Sequence, residues 1–205
     1  MFTGIVTAIG TIREARQQGD LQAVITCPWD PAGIAIGASI ACSGCCLTVV
    51  ARGGEPGAAW FTVSISGETV ARTVPGRWIE GGQFNLEPAL KLGDELGGHI
   101  VTGHVDGVGE VLGICPEGDS RRIGFAVSHE LAPYLAPKGS ITVDGVSLTV
   151  NEVADQADGT CHFSLNLIPH TAEVTTLGSL KPGSRVNLEI DVLARYLQRM
   201  QSLRG

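Results

Sequence analysis

The sequence contains two copies of one module, and this internal repeat limits the available folds more than any other feature. Residues 40–49 match residues 141–150 at an offset of 101, with five of the ten positions identical. Residues 61–87 match residues 163–189 at an offset of 102, and both stretches end in Asn-Leu-Glu. A period near one hundred residues is too long for a solenoid and is typical of duplicated domains. Two similar modules imply two similar pockets.

The charge balance argues against several classes of partner. The chain has 14 Lys and Arg against 21 Asp and Glu, for a net charge of −7. Without a basic surface to neutralise phosphates, we expect neither a nucleic-acid nor an anionic membrane partner. We see no apolar run of membrane-spanning length and no signal-peptide pattern at the start, so we expect a cytoplasmic protein.

The six cysteines are not repeated with the modules. Cys42, Cys45 and Cys46 align with Val143, Val146 and Ser147. A disulfide framework would have been duplicated with the fold, so we expect thiols in a reducing compartment. The Cys42-Ser43-Gly44-Cys45 stretch has the CxxC form, which leaves a redox or zinc role open, but it lacks a second pair and a βαβ context.

The local pattern predicts β structure throughout. Short runs of Val, Ile and Thr are broken by Gly, Pro, Asn or Asp about every ten residues, which is typical of small antiparallel barrels. We predict strands near 2–13, 21–27, 38–43, 46–52, 59–65 and 83–88, and near 102–112, 121–128, 140–144, 147–154, 161–167 and 185–190. Short helices are expected at 69–73, 129–136 and 171–175. The predicted domains are 1–96 and 97–190.

The segment 191–205 differs from the rest of the chain. Leu193, Tyr196 or Leu197, Met200 and Leu203 recur every three or four residues and would lie on one face of a helix. The first module has no counterpart. This helix either covers its own barrel or builds an oligomer.

Two equivalent strands present small polar side chains. Alternation places Cys46 and Thr48 on one face of a strand, and Ser147 and Thr149 likewise in the second copy. The difference between Cys46 and Ser147 suggests different chemistry in the two pockets. The alternative is a tight turn whose small polar residues cap the end of a barrel.

The histidines near the start of the second module are further candidates. On a regular strand, Thr102, His104 and Asp106 share one face and His99 lies on the other. This placement weakens a two-histidine metal site, which also lacks a third ligand at a familiar spacing. His104 is a candidate proton carrier, and the alternative is an ordinary packed or surface histidine. Thr69 and Thr171 could cap short helices whose N–H groups meet ligand atoms.

Several motifs together are similar to one family. MFTGIV at the start, SGCCLTV at 43–49, GGHIVTGHVDG at 97–107, KGSITVDGVSLTV at 138–150 and LIPHT at 167–171 resemble riboflavin synthases of the α-chain type. The resemblance implies an all-β fold of two tandem six-stranded Greek-key barrels with a C-terminal α-helix that assembles a homotrimer. It implies dismutation of two 6,7-dimethyl-8-ribityllumazine molecules by transfer of a four-carbon unit, giving riboflavin and 5-amino-6-ribitylaminouracil. No metal and no organic cofactor are implied, and the active site would pair barrels of two chains.

The resemblance also implies which residues contact the substrate. For the N-terminal barrel these are Gly4, Ile5, Val6, Cys46, Leu47, Thr48, Ser64, Ile65, Ser66, Gly67, Glu68 and Thr69. For the C-terminal barrel they are Gly103, His104, Val105, Lys138, Ser147, Leu148, Thr149, Asn166, Leu167, Ile168, Pro169, His170 and Thr171. The candidate catalytic groups are Cys46, His104 and Ser147. His170 stands where an acidic residue is common in the family, and Ser43 where Asn is.

Two other functions remain as alternatives. The first is a non-catalytic lumazine- or flavin-binding protein of the same fold. The presence of both Cys46 and His104 favours the enzyme. The second alternative is a duplicated barrel scaffold without a small ligand.

Overall fold

The computed structural model describes residues 1–203, and in that part of the chain the repeat forms two closed, six-stranded antiparallel barrels. The first barrel consists of β1 (Ala8–Gln18), β2 (Asp20–Cys27), β3 (Ser39–Cys42), β4 (Cys45–Glu55), β5 (Ala58–Ile65) and β6 (Gln83–Pro88). The second consists of β7 (Gly107–Glu117), β8 (Ser120–Ser128), β9 (Ser140–Val143), β10 (Val146–Asp155), β11 (Thr160–Leu167) and β12 (Arg185–Ile190). The predicted fold class is confirmed.

Both barrels have the same connectivity. In the first barrel the order around the wall is β1-β2-β5-β4-β3-β6, so that β2 pairs with β5 and β3 with β6 as in a Greek key. Alternate side chains point inward, as on β5, where Phe61, Val63 and Ile65 are fully buried. Closure leaves no free strand edge, and each barrel has its own apolar core.

The first strand of each barrel begins later than predicted. β1 starts at Ala8 and β7 at Gly107, whereas the prediction placed both starts five or six residues earlier. Gly4 and Gly103 adopt φ values of +76° and +79°, which interrupt an extended run. The segments before β1 and β7 lie between the two barrels: each hydrogen-bonds to its own barrel and also contacts the opposite one. An isolated antiparallel β-bridge pairs Phe2 with Val101 near the start of the two segments.

The repeated Asn-Leu-Glu sequence at the end of each copy joins the two barrels. Asn85 donates its side-chain amide to the carbonyl of Asp144 at 2.9 Å, and Asn187 donates in the same way to Ser43 at 2.9 Å. The intervening leucines are fully buried in their own cores. Gly44 and Gly145 face each other so closely that a Cβ atom on Gly145 would lie 2.7 Å from the Gly44 nitrogen. The barrels are therefore related by an approximate two-fold axis.

Three α-helices complete the described part of the chain: α1 (Gly67–Arg72), α2 (Pro169–Val174) and α3 (Val192–Gln201). The segments His129–Tyr134, Pro31–Gly33 and Thr176–Ser179 form 3-10 turns. The expectation that threonines cap the first two helices is wrong. Ser66 caps α1 by accepting from the Thr69 nitrogen, and α2 follows Ile168 without a side-chain cap.

Helix α3 packs on the second barrel and exposes an apolar face. Asp191 caps the helix, and Arg195 forms an ion pair with Asp106 of the barrel at 2.8 Å. The side chains on the exposed face are Leu193, Tyr196, Leu197 and Met200. Positions 204 and 205 of the predicted 191–205 segment lie outside the described residues. Within residues 1–203, no helix is both long and apolar enough to cross a bilayer.

Candidate active site

The first cleft lies on the outer surface of β4. As predicted from alternation, Cys46 and Thr48 share one face of β4 and Leu47 lies on the other. Leu47 points into the barrel, while Cys46 is half-buried and Thr48 exposed on the outside. A cavity of about 390 Å³ opens beside Cys46. Its walls come from β4, from α1 and from the segment that precedes β7: Cys45, Cys46, Glu68, Thr69, Arg72, Thr73, Gly103, His104, Val105 and Asp106.

The adjacent residues Cys45 and Cys46 both contribute to the wall of this cleft, but only Cys46 is partly exposed. Burial raises the pKa of Cys45 to about 12, so its thiol stays protonated at neutral pH. Burial also raises the pKa of Cys42, which lies opposite Cys45 across the β3–β4 hairpin. All six cysteines are unpaired, and residues 1–203 contain no group of three or more His, Cys, Asp or Glu placed to hold a metal ion.

The equivalent surface of the second barrel is the outer face of β10 around Ser147, which we call the second cleft because its construction matches that of the first. Ser147 is half-buried and Thr149 exposed on the outer face. The backbone nitrogen of Ser147 donates to the carbonyl of Gly4 at 2.8 Å, and that of Cys46 donates to the carbonyl of Gly103 at 2.8 Å. Each segment that precedes a first strand therefore lines the cleft of the other barrel.

This arrangement of the two segments corrects one prediction. Gly4, Ile5 and Val6 were assigned to the pocket of Cys46, and residues 103–105 to the pocket of Ser147. The structure places them the other way around, because each segment lies between the barrels, with Gly4 against Ser147 and Gly103 against Cys46. Each cleft is thus built by both halves of the chain.

His99 is a site residue that the sequence reasoning did not select. Its Nδ1 lies 2.7 Å from Ser147 Oγ, and its Nε2 lies 3.1 Å from Thr142 Oγ1. Burial lowers the pKa of His99, against a smaller opposing effect of Asp191, and so favours the neutral ring. A neutral imidazole has one acceptor nitrogen, which can accept the Ser147 hydroxyl proton.

The regular-strand interpretation of the segment before β7 is wrong. Thr102 donates to Glu189, His104 is exposed in the first cleft, and Asp106 accepts from Arg195 and from the Ile190 nitrogen. Their side chains therefore do not share one face. Because residues 102–106 lie outside any strand, alternation did not reveal that His99 meets Ser147.

The remaining candidates fall into two groups. The side chains of Ile65 and Leu167 point into the barrel cores, so a ligand could contact only their backbones. The other candidates lie at or near the β5–α1 and β11–α2 connections and are exposed or partly buried: Ser64, Ser66, Gly67, Glu68, Thr69, Asn166, Ile168, Pro169, His170 and Thr171. Asn166 donates to Glu117 at 3.0 Å, while its Oδ1 is buried without a hydrogen-bond partner in residues 1–203.

Lys138 adopts a conformation that favours glycine. Its φ is +66°, and the matching position of the first module is Gly37 with φ +84°. The nitrogens of both residues donate to equivalent strand carbonyls, Val150 and Val49. A long side chain held in a left-handed conformation is backbone strain of the kind found at functional sites.

A larger cavity of about 690 Å³ lies between the first barrel and the linker that follows β6. Trp29, Ile34, Leu90 and Lys91 contribute to its walls. It includes Ile5 but neither Cys46 nor Ser147, so its size alone does not mark it as the reaction site.

Duplicated barrels with matching outer surfaces around Cys46 and Ser147 define a tandem-barrel protein. The family model described as Lumazine binding domain matches residues 3–89 and 102–191. Riboflavin synthase of Brucella abortus (strain 2308) is 47% identical over 205 residues, covering 98% of both chains. Riboflavin synthase of Mycobacterium tuberculosis (strain ATCC 25618 / H37Rv) is 43% identical over 210 residues and covers 100% of both. The chain belongs to the riboflavin synthase family.

Solved structures of LumP are also similar. LumP complexed with riboflavin has a TM-score of 0.75 at 27% identity, and LumP complexed with 6,7-dimethyl-8-(1'-D-ribityl) lumazine has 0.74 at 25%. Each comparison covers 93% of this chain and 99% of LumP.

Proposed function

We infer that this protein is a riboflavin synthase, and we propose that each of its two clefts binds one molecule of 6,7-dimethyl-8-ribityllumazine. One molecule gives a four-carbon unit to the other, and the products are riboflavin and 5-amino-6-ribitylaminouracil. The two products together contain all atoms of the two substrates, so the reaction needs neither an oxidant nor an organic cofactor.

One observation carries this proposal: the two clefts have the same construction but different chemistry. The first presents the thiol of Cys46 with His104, and the second presents the hydroxyl of Ser147 hydrogen-bonded to His99. A dismutation uses two copies of one substrate in two different roles. Matched but chemically unequal clefts suit that requirement.

The proposed chemistry begins with loss of a proton from the acidic C7 methyl group of one lumazine. His104 is exposed in the first cleft and is a candidate to carry this proton. Cys46 and Ser147 are candidates for adding to ring carbons or for polarising a bound water. Holding two rings in contact would supply much of the rate, as effective molarity is worth on the order of 7–11 kcal/mol in well-oriented reactions.

Substrate recognition is proposed to use both backbone and side chains. The backbone of Val6 and Val105 and the carbonyls of Ile5 and His104 can meet the polar edge of the pyrimidine ring, because an irregular segment offers both donors and acceptors. The hydroxyls of Thr48 and Thr149 and the charge of Lys138 are exposed beside the clefts and can bind the ribityl chain.

The complete enzyme is proposed to be a cytoplasmic homotrimer in which the first cleft of one chain faces the second cleft of another. Support comes from α3, whose exposed apolar face includes Leu193 and Leu197, 67% and 61% exposed. We propose 1–96 and 97–190 as the two lumazine-binding domains and 191–205 as the assembly segment. The six unpaired thiols agree with a reducing compartment.

The direct test is to mix the purified protein with 6,7-dimethyl-8-ribityllumazine. We expect riboflavin absorbance to develop, with one riboflavin formed for every two lumazines consumed. A stable fluorescent complex without conversion would instead identify a non-catalytic binding protein, the alternative raised by the similarity to LumP. A scaffold without a ligand site would give no saturable change in lumazine fluorescence.

A further inference from the structure

Two buried carboxylates occupy equivalent places in the barrels, at the glutamates of the repeated Asn-Leu-Glu sequence. Glu87 on β6 and Glu189 on β12 are 5% and 2% exposed. Neither has a lysine or arginine partner among the ion pairs of the described chain. Each is instead surrounded by hydrogen-bond donors of the segment that precedes the first strand of its own module.

The contacts of Glu189 fix three successive residues. Its Oε1 accepts from the backbone nitrogen and the hydroxyl of Thr102, both at 2.6 Å. Its Oε2 accepts from the nitrogens of Gly103 at 2.9 Å and His104 at 3.1 Å. Every partner is a donor, so the site requires an acceptor at both oxygens. The amide nitrogen of a glutamine could not replace either oxygen.

Glu87 makes the matching contacts in the first module. Its Oε1 accepts from the nitrogen of Thr3 at 2.7 Å and its hydroxyl at 2.8 Å, and its Oε2 accepts from the nitrogen of Gly4 at 2.9 Å. Burial raises the pKa of both carboxyls, and the hydrogen bonds oppose this effect. The clustered donors partly replace the solvation that burial removes.

The far side of each held segment touches the residue that distinguishes the other barrel's cleft. Gly103 accepts from the nitrogen of Cys46, and a Cβ atom on Gly103 would lie 2.5 Å from the Cys46 Cβ. Gly4 accepts from the nitrogen of Ser147, and a Cβ atom there would lie 2.6 Å from the Ser147 Cβ. Each segment is thus held between the carboxylate of its own barrel and the cleft of the opposite barrel.

We propose that Glu87 and Glu189 are positioning residues that act crosswise: Glu189 of the second barrel maintains the cleft of Cys46, and Glu87 of the first barrel maintains the cleft of Ser147. Neither carboxylate touches the substrate. Each sets the backbone that forms one wall of the cleft on the other barrel. The effect on catalysis rests on the proposed function, whereas the crosswise geometry can be tested without substrate.

The test compares Glu189→Gln with Glu87→Gln in the full-length protein. Iodoacetamide labelling followed by peptide mass spectrometry gives the alkylation rate of Cys46, with exposed Cys115 as the internal standard. We expect Glu189→Gln to change the Cys46 rate by about ten-fold, the equivalent of one charge-assisted hydrogen bond. Glu87→Gln should leave this rate unchanged. In a Ser147→Cys background, the alkylation rate of the thiol at position 147 should change in Glu87→Gln and stay unchanged in Glu189→Gln.

A second measurement connects the geometry to binding. Lumazine should protect Cys46 from alkylation in the wild type and in Glu87→Gln, while Glu189→Gln should need about ten-fold more ligand. Equal effects of both variants on both thiols would indicate general loosening of the fold and overturn the proposal. So would unchanged rates in a folded Glu189→Gln protein.

Milder variants keep the test decisive if the glutamine variants fail to fold. Thr102→Val and Thr3→Val each remove one hydroxyl donor to a carboxylate and should give the same crosswise pattern at smaller amplitude. If the wild type neither binds nor converts lumazine, the proposed function fails, but the labelling rates without ligand still decide the crosswise geometry.

Discussion

Arg77 of the first barrel forms a two-pronged ion pair with Asp144 of the second, in which Arg77 Nη2 lies 2.9 Å from Asp144 Oδ2. The carboxyl side chain is only 1% exposed and also accepts from the nitrogen of Asn187. The pair has no counterpart across the approximate two-fold axis, because the equivalent positions are Ser179 and Ser43. One charged contact therefore makes the interface between two similar barrels asymmetric.

Removing Arg77 should destabilise the protein strongly. Arg77→Met would leave a buried carboxylate without its partner, which typically costs about 3–5 kcal/mol. The double variant Arg77→Met/Asp144→Asn should recover most of this loss, since no unpaired charge remains. Urea unfolding gives the free energies. Arg72→Met is the control, because its pair with Glu68 is exposed to solvent and should contribute little to stability. Equal losses for Arg77→Met and Arg72→Met would contradict this account.

Cys46 and His104 should be needed for turnover and not for folding. We expect Cys46→Ala and His104→Ala each to lower kcat, for His104 on the order of a hundred-fold if it carries a proton. Cys45→Ala is the matched control. Its side chain packs in the barrel core, so its main effect should be a lower melting temperature and not a lower kcat. Wild-type turnover in both cleft variants would remove them from the proposed mechanism.

The fold and the outer faces of the strands could be predicted from the sequence because both depend on local patterns. The repeat defined two modules, and alternation correctly placed Cys46 and Thr48 on one face of a strand with Leu47 on the other. Barrel closure followed from the number of short strands in each module.

The contact of each segment with the opposite barrel could not be predicted in this way. An extended stretch has the same local pattern on either barrel, and only long-range contacts decide where it attaches. The attachment depends on the buried carboxylates and on the close approach of Gly4 to Ser147. A clue existed in the glutamates that end both copies, since a buried acidic residue needs donors.

His99 should make stability depend on pH in a defined direction. Because its pKa in the folded state is lowered from about 6.5, the neutral ring contributes stability that is present above that pH. This contribution is lost as the pH falls through the folded-state pKa. We expect the free energy of unfolding of the wild type, relative to His99→Gln, to be larger at pH 7.5 than below pH 5. A difference that does not vary with pH would refute the assignment.

Lys138 should lower the stability of the fold and strengthen the binding of lumazine. Lys138→Gly relieves a left-handed conformation and should raise the free energy of unfolding by on the order of 1 kcal/mol. If the side chain binds substrate, the same variant should weaken lumazine binding, as measured by fluorescence titration. Gly37→Ala is the matched control: it introduces the strain at the equivalent position and should destabilise without removing any charge. Stabilisation with unchanged affinity would show that Lys138 is not a ligand-binding residue.

The exposed face of α3 should hold the proposed oligomer together. Leu197→Glu places a charge on that face but leaves the contact of Arg195 with Asp106 on the barrel side. If the trimer buries this face, the variant should sediment as a folded monomer, and turnover should fall because the two clefts of an active site no longer meet. Arg199→Ala lies about 110° away from the centre of the apolar face and should remain oligomeric and active. A fully active monomer of Leu197→Glu would mean that one chain can complete the site alone.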